Sequence, residues 1–371
     1  MTEPLSKIPD GMRYCFGREA SLRRNVEAIV MSVFDGWSYE EVTTPTVDYY
    51  SLFEHGMGSS QAHRAFRFTD TDGRLLVLRP DVTSGVARAS VTMFADRNRP
   101  LRLCYAAQVF RQQPQSHVEW RREFTQAGCE LIGANSSASD IEALLIACEI
   151  LQRLELSGNF LITLNDEGVF DGIAAQLNLD PRSRDEMRQL VDSRNPTDLE
   201  GFLSNRLSSP NEGRDLTLLT QLAGKLDALE QARRILTNRR SIEALERLEK
   251  LWAVIESLGL TDSFEIDFGD VARLDYYTGL TFNVYVNGAA VRVGSGGRYD
   301  GLTAAFGTAE PAVGFVLDLD ALTSVLLSRN TDLINPESFK IARSVVNPET
   351  VLLFEEARRR RAKGDRVLID S

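Results

Sequence analysis

The sequence predicts an α+β fold: a mainly antiparallel sheet of six or seven strands, flanked by helices and interrupted by a helical insertion. Three observations lead there. Period-two and β-branched runs occur on both sides of a charged, helix-patterned middle from about Val169 to Leu258. Two apolar strands, Leu101 to Phe110 and Glu123 to Ile132, are joined by the polar stretch Gln112 to Arg121, as in a hairpin with a long loop. Strands resume after Gly259, so both halves of the chain contribute to one sheet.

In chain order, Leu22, Val26, Ile29, Val30 and Val33 recur at helical spacing over residues 18 to 34, with Gly36 as a stop. Tyr39 to Thr46 reads as a strand with Pro45 at an edge or bend. Leu75 to Leu78 is a buried strand ending at Arg79-Pro80, and a helical stripe follows from Thr83 to Phe94. Asp140 to Leu156 is amphipathic through Ile141, Leu144, Leu145, Cys148 and Leu151, and Leu161 to Leu164 is strand-like. The insertion is interrupted near Pro196 and Pro210. Phe264 to Phe268, Leu280 to Val286, Ala289 to Val293 and Ala312 to Leu319 are further strands, with a short helix from about Asp320.

A chain of 371 residues suffices for one large and one smaller domain. The net charge of −11 argues against broad nucleic-acid binding, which needs concentrated lysine and arginine. The run Arg358 to Arg361 follows Glu355 and Glu356 and suits an exposed helix face. No apolar run approaches the ~20 residues needed to span a bilayer, and Met1 to Asp10 lacks a signal-like stretch, so a cytoplasmic location is expected. Cys15, Cys104, Cys129 and Cys148 fit neither a metal knuckle nor a disulfide scaffold, and His55, His63 and His117 have no metal spacing. No cofactor is expected.

A candidate pocket emerges from polar residues at strand ends. Asp81 and Thr83 can offer a carboxylate and a hydroxyl to an ammonium group. Gln126 and Glu130, four apart on one strand, share a face, so Glu130 can accept from an imidazole nitrogen with Tyr276 or Tyr277 orienting the ring. Plainer readings stand beside these: Asp81 and Thr83 suit the cap of the next helix, Asp275 a turn, and paired tyrosines a packed core. Gly296-Gly297 suits either close backbone approach to a ligand or a tight turn.

Over roughly residues 8 to 325 these segments resemble the core of a class II aminoacyl-tRNA synthetase, specifically histidyl-tRNA synthetase. Thr44-Pro45 resembles motif 1, Phe110-Arg111 with Phe124 to Glu130 motif 2, and Pro311 to Leu322 motif 3. Leu274 to Gly279 resembles the histidine-specific segment, and Arg79 to Thr83 and Gly296 to Gly301 resemble further pocket pieces. The resemblance implies histidine-binding roles for Asp81, Thr83, Gln126, Glu130, Tyr276 and Tyr277, with Tyr299 as a pocket wall and Arg111 as a carboxylate or anion contact.

Departures from the synthetase pattern argue against adenylation, which needs cations around the α-phosphate. Ala272 stands where the family has arginine, with Arg273 one place late. Motif 3 ends Asp318-Leu319-Asp320-Ala321, losing an arginine and gaining acid, and the motif 2 loop reads Gln112-Gln113-Pro114 in place of its Glu-Arg pair. The nucleotide side is therefore expected to be poorly cationic.

The pattern is most similar to the synthetase-like regulatory subunits of ATP phosphoribosyltransferase, whose activity belongs to a short-form catalytic partner. This resemblance implies no catalytic residues in the chain, a homodimer built through motif 1 within a larger hetero-oligomer, L-histidine as effector, and no tRNA. It further implies a core at residues 1 to 325, with residues 326 to 371 too short for an anticodon-binding domain, two strands there (Val351 to Phe354 and Val367 to Ile369) flanking one helix. A diverged amino-acid ligase and a histidine sensor with another partner are the alternatives.

Overall fold

The computed structural model describes residues 5–112, 121–207, 210–271, 276–329, 331, 333, 339–341, 349–364 and 367–369, and divides into two units, Met1–Asn330 and Thr331–Ser371. The larger opens with α1 (Gly17–Gly36), whose apolar stripe buries Leu22, Val26, Val30, Val33 and Phe34. Next come β1 (Glu40–Glu41), β2 (Val47–Tyr49), α2 (Tyr50–Met57), α3 (Ser59–Ala62), β3 (Arg67–Thr69), β4 (Leu75–Leu78) and α4 (Thr83–Thr92). Strands β2, β4 and β3 make a separate antiparallel sheet. The strand expected over Tyr39 to Thr46 is thus only the two residues of β1, and pairing restarts beyond Pro45, which has no N–H to give a ladder.

The hairpin β5 (Leu101–Phe110) and β6 (Glu123–Ile132) is the longest antiparallel pair, followed by α5 (Ser137–Arg153) and β7 (Phe160–Asp166). Then come α6 (Glu167–Gln176), α7 (Pro181–Asp192), α8 (Pro196–Ser204), α9 (Pro210–Leu219), β8 (Ala223–Gly224), α10 (Leu226–Ile235) and α11 (Arg239–Ser257). Pro181, Pro196 and Pro210 each open a helix, where a missing N–H costs nothing, so these prolines start helices within the insertion.

Strands β9 (Phe264–Asp267), β10 (Leu280–Val286), β11 (Gly294–Arg298) and β12 (Ala312–Asp318) and helix α12 (Leu319–Ser328) complete this unit. The strand expected at Ala289 to Val293 lies instead at Gly294–Arg298, in the glycine-rich segment read as a turn. A Cβ at Gly296 would press on Phe282 and Phe315, both at 2.5 Å, so glycine is what lets this strand fit between its aromatic neighbours.

The main sheet has nine strands in the order β1-β5-β6-β12-β11-β10-β7-β9-β8. It is mixed, with β1 parallel to β5 and β7 parallel to β9, and this corrects the expected six or seven mainly antiparallel strands. The insertion is the cause of the second parallel pair: α6 to α11 return the chain to the starting end of β7, as a crossover must. Strands β1 and β8 are two residues each, too short to carry a periodic signal.

In the smaller unit β13 (Phe339–Ile341) pairs in parallel with β14 (Val367–Ile369), and α13 (Glu349–Ala362) lies between them in sequence. Val351 to Phe354, expected as a strand, falls inside α13, because Glu355 to Ala362 continues without any helix breaker.

Candidate functional site

A cavity of about 150 Å³ opens beside β6, β11 and β12. Of the residues predicted to bind a ligand, Asp81, Thr83, Arg111, Gln126, Glu130, Tyr276 and Tyr277 all line it, while Tyr299 stands outside the lining. Ala272, Arg273, Leu274 and Asp275, with Gln113, Pro114 and His117, lie outside the described residues.

Glu130 is at the centre. It is 1% exposed, and its carboxyl accepts from Thr83 Oγ1 at 2.8 Å, from Tyr105 OH at 3.0 Å and from the Tyr299 hydroxyl. Burial pushes its pKa up to about 7, outweighing the three hydroxyls that hold it down. Gly314, its partner across the β6–β12 ladder, makes room: a Cβ there would run into the Glu130 carboxyl and the Cys129 carbonyl. Tyr299 supports Glu130 from the core and meets Tyr276 edge-on, with ring centroids 5.6 Å apart, while Tyr276 and Tyr277 lie 4.8 Å apart.

Asp81 serves two structures at once. Its carboxylate accepts from Ser84 N at 3.3 Å and Ser84 Oγ at 3.2 Å at the start of α4, and it also lines the cavity. Burial raises its pKa, against Ser84 and Arg111. Gln126 is 6% exposed, and its Oε1 has no hydrogen-bond partner among the described residues, so an acceptor waits inside the cavity.

Arginines supply the opposite charge: Arg64, Arg111, Arg121 and Arg292 line the cavity. Arg111 donates from Nε to Pro80 O at 3.2 Å and lies 5.0 Å over the Phe124 ring. Arg121 stands 3.6 Å from Asp318, an ion-pair distance too long for a hydrogen bond. The cavity is thus lined by four guanidiniums, although the sequence has alanine at 272 and 321.

The acids expected to repel a triphosphate also have structural work. Asp318 caps α12, accepting from Ala321 N at 2.8 Å, and its pKa is pushed up to about 6, mainly by burial. Asp320 accepts from Thr125 N at 2.7 Å and pairs with Arg13 at 3.1 Å, tying α12 to β6 and to the N-terminal segment. Ala321 is buried.

Tyr105, Arg64, Arg292 and Gly314 were not anticipated from sequence. Tyr105 had one indirect signal: it faces Gly128 across the hairpin, and a Cβ at Gly128 would come within 2.7 Å of the Tyr105 hydroxyl. A glycine in mid-strand marks a close neighbour. In sum of charge and shape, acceptors at Asp81 and Gln126 and donors on the arginines suit a small zwitterion with a polar side chain.

The family model described as histidyl-tRNA synthetase matches residues 11–322. An ATP phosphoribosyltransferase regulatory subunit from Moorella thermoacetica is 35% identical over 98% of this chain and 92% of its own length. One from Clostridium botulinum is 31% identical over 87% of this chain and 77% of its own. A Bacillus halodurans structure, described as an ATP phosphoribosyltransferase regulatory subunit/histidyl-tRNA synthetase, superposes with a TM-score of 0.87 at 29% identity, covering 100% of this chain and 93% of that one. The fold is shared with histidyl-tRNA synthetase from Nostoc, at a TM-score of 0.81 and 19% identity over 100% and 86% of the two chains. The chain thus belongs to the histidyl-tRNA synthetase-like family and, within it, to the ATP phosphoribosyltransferase regulatory subunits.

Proposed function

We propose that this protein is the non-catalytic regulatory subunit of a hetero-oligomeric ATP phosphoribosyltransferase, and that its cavity binds L-histidine. The observation that carries the ligand reading is the gathering of Asp81, Thr83, Gln126, Glu130, Tyr276 and Tyr277 on one cavity, where the Gln126 acceptor has no partner among the described residues. The relatives' names support a partner of the ATP phosphoribosyltransferase type, which in this reading is a catalytic subunit that binds ATP and phosphoribosyl pyrophosphate. Residues 1 to 325 form the ligand-binding core in this reading, with residues 326 to 371 as a short extension.

Loss of adenylation follows from chemistry at two positions. Alanine at 272 and 321 cannot stabilise charge on an α-phosphate, and of the arginines around the cavity Arg111 is held by Pro80 and Phe124 while Arg121 faces Asp318. Catalytic groups must be placed together to act, so restoring arginine at 272 and 321 alone should not create a ligase.

The test has two arms. Catalytic subunit assayed with and without this chain should show activity that depends on it and falls with added L-histidine; no change in either would end the proposal. L-histidine-dependent exchange of pyrophosphate into ATP by the chain alone should be absent, and robust exchange would make it an enzyme.

A further inference from the structure

We propose that Arg292 is the carboxylate-binding residue of this cavity, supplying from the segment before β11 the cation that Ala272 cannot supply. The proposal rests on the reading that the cavity holds an amino acid.

Two of the other arginines are engaged by groups of this chain: Arg111 is bonded to Pro80 O and stacked on Phe124, and the charge of Arg121 is met by Asp318 at 3.6 Å, although its buried Nη1 has no hydrogen-bond partner among the described residues. Arg64 donates to Gln61 Oε1 at 2.9 Å. Arg292 differs: among the described residues it has no carboxylate at ion-pair distance, and its single hydrogen-bond partner is Asn283 Oδ1 at 3.1 Å. That amide is itself fixed, because Asn283 Nδ2 donates to Asp270 Oδ1 at 2.6 Å. A guanidinium held by one neutral partner keeps its remaining N–H groups for a planar anion.

The plain alternative is a half-buried arginine solvated at the rim. Two facts weigh against it. Its electrostatic influence reaches Tyr277, which also lines the cavity. Independently, the buried Oε1 of Gln126 lines the same cavity without a partner among the described residues and calls for a ligand N–H. A ligand carrying both an ammonium and a carboxylate would satisfy Gln126 and Arg292 together, whereas an amine alone leaves the arginine unmet.

Calorimetry on the full chain with L-histidine and with histamine, which lacks the carboxylate, separates these readings. The unsubstituted protein should prefer L-histidine by about 10- to 100-fold, the range for a charge-assisted hydrogen bond. Arg292→Ala should lose about that factor for L-histidine while histamine is little changed, and Arg292→Lys should recover part of it. Arg292→Ala binding L-histidine within about twofold of the unsubstituted protein, with the cavity's preference intact, would overturn the proposal. Equal affinity of the unsubstituted protein for the two ligands would overturn it without any variant. No binding of L-histidine at all would remove the amino-acid reading of the cavity and this proposal with it.

Discussion

At the scale of single residues, Glu130 has the most to lose. Its folded-state pKa of about 7 lies above the ordinary 4.5, so between those values the folded chain holds a proton that the unfolded chain has released. Stability is therefore greatest below about pH 4.5 and declines as pH rises toward 7, by up to about 3 kcal/mol for this one group. Glu130→Gln should flatten that decline, which urea unfolding at pH 5 and pH 8 would register; equal slopes in both proteins would mean that Glu130 is not buried as a strained acid. The same variant should weaken L-histidine binding by ~1.5–3 kcal/mol if the carboxyl receives the imidazole N–H. Unchanged affinity by calorimetry would assign Glu130 to support alone. Gln126 and Glu130 were legible because a spacing of four on a strand fixes a shared face. Gly314 was not, because the register that brings it to Glu130 joins strands far apart in sequence; Tyr105 reaches Glu130 from the facing strand of the same hairpin, and Arg292 lies before β11 in a segment with no pattern of its own.

At the scale of elements, the helical insertion is fastened to the sheet by acids at the start of α6. Asp166 caps the helix through Gly168 N at 2.9 Å and takes a two-pronged contact from Arg247 of α11. Glu167 pairs with Arg188 of α7, and Asp171 with Arg184 of α7 and Arg240 of α11. Glu167 is 4% exposed, and burial raises its pKa despite the arginines that lower it. Arg188→Met should leave the buried Glu167 carboxylate with only Arg184, 4.0 Å away, and cost about 3 kcal/mol, whereas adding Glu167→Leu should restore most of the loss. A double variant no more stable than Arg188→Met would disprove the pairing. Helices α1 and α5 were readable from apolar stripes, and the β5–β6 hairpin from its two flanking runs. The Gly294–Arg298 strand was not, because its apolar surroundings come from Phe282 and Phe315 on neighbouring strands while its own residues carry turn chemistry. Val351 to Phe354 failed for the opposite reason: four apolar residues have no period, and the sequence after them decided for helix.

At the scale of the whole molecule, the small sheet presents apolar side chains outward. Val47, Tyr49 and Phe68 are each roughly 40% exposed, and the pairing of Tyr49 and Phe68 with Leu76 puts these residues on one face. Such a face, adjoining the segment that resembles motif 1, is expected to be covered in a homodimer. Sedimentation at micromolar concentration should give a dimer, and Phe68→Asp should give monomers; a monomeric unsubstituted chain would sink this expectation. The β6–β12 ladder has a different consequence, for synthesis. It joins Ile132 to Ala312, so β6 emerges from the ribosome long before the strand that covers it. Over a gap of about 180 residues, elongation at ~5–20 residues per second leaves that edge open for roughly ten to forty seconds. During that interval Glu130 has neither Gly314 beside it nor the Tyr299 hydroxyl upon it, and the nascent chain carries an unpaired apolar strand edge suited to capture by a chaperone.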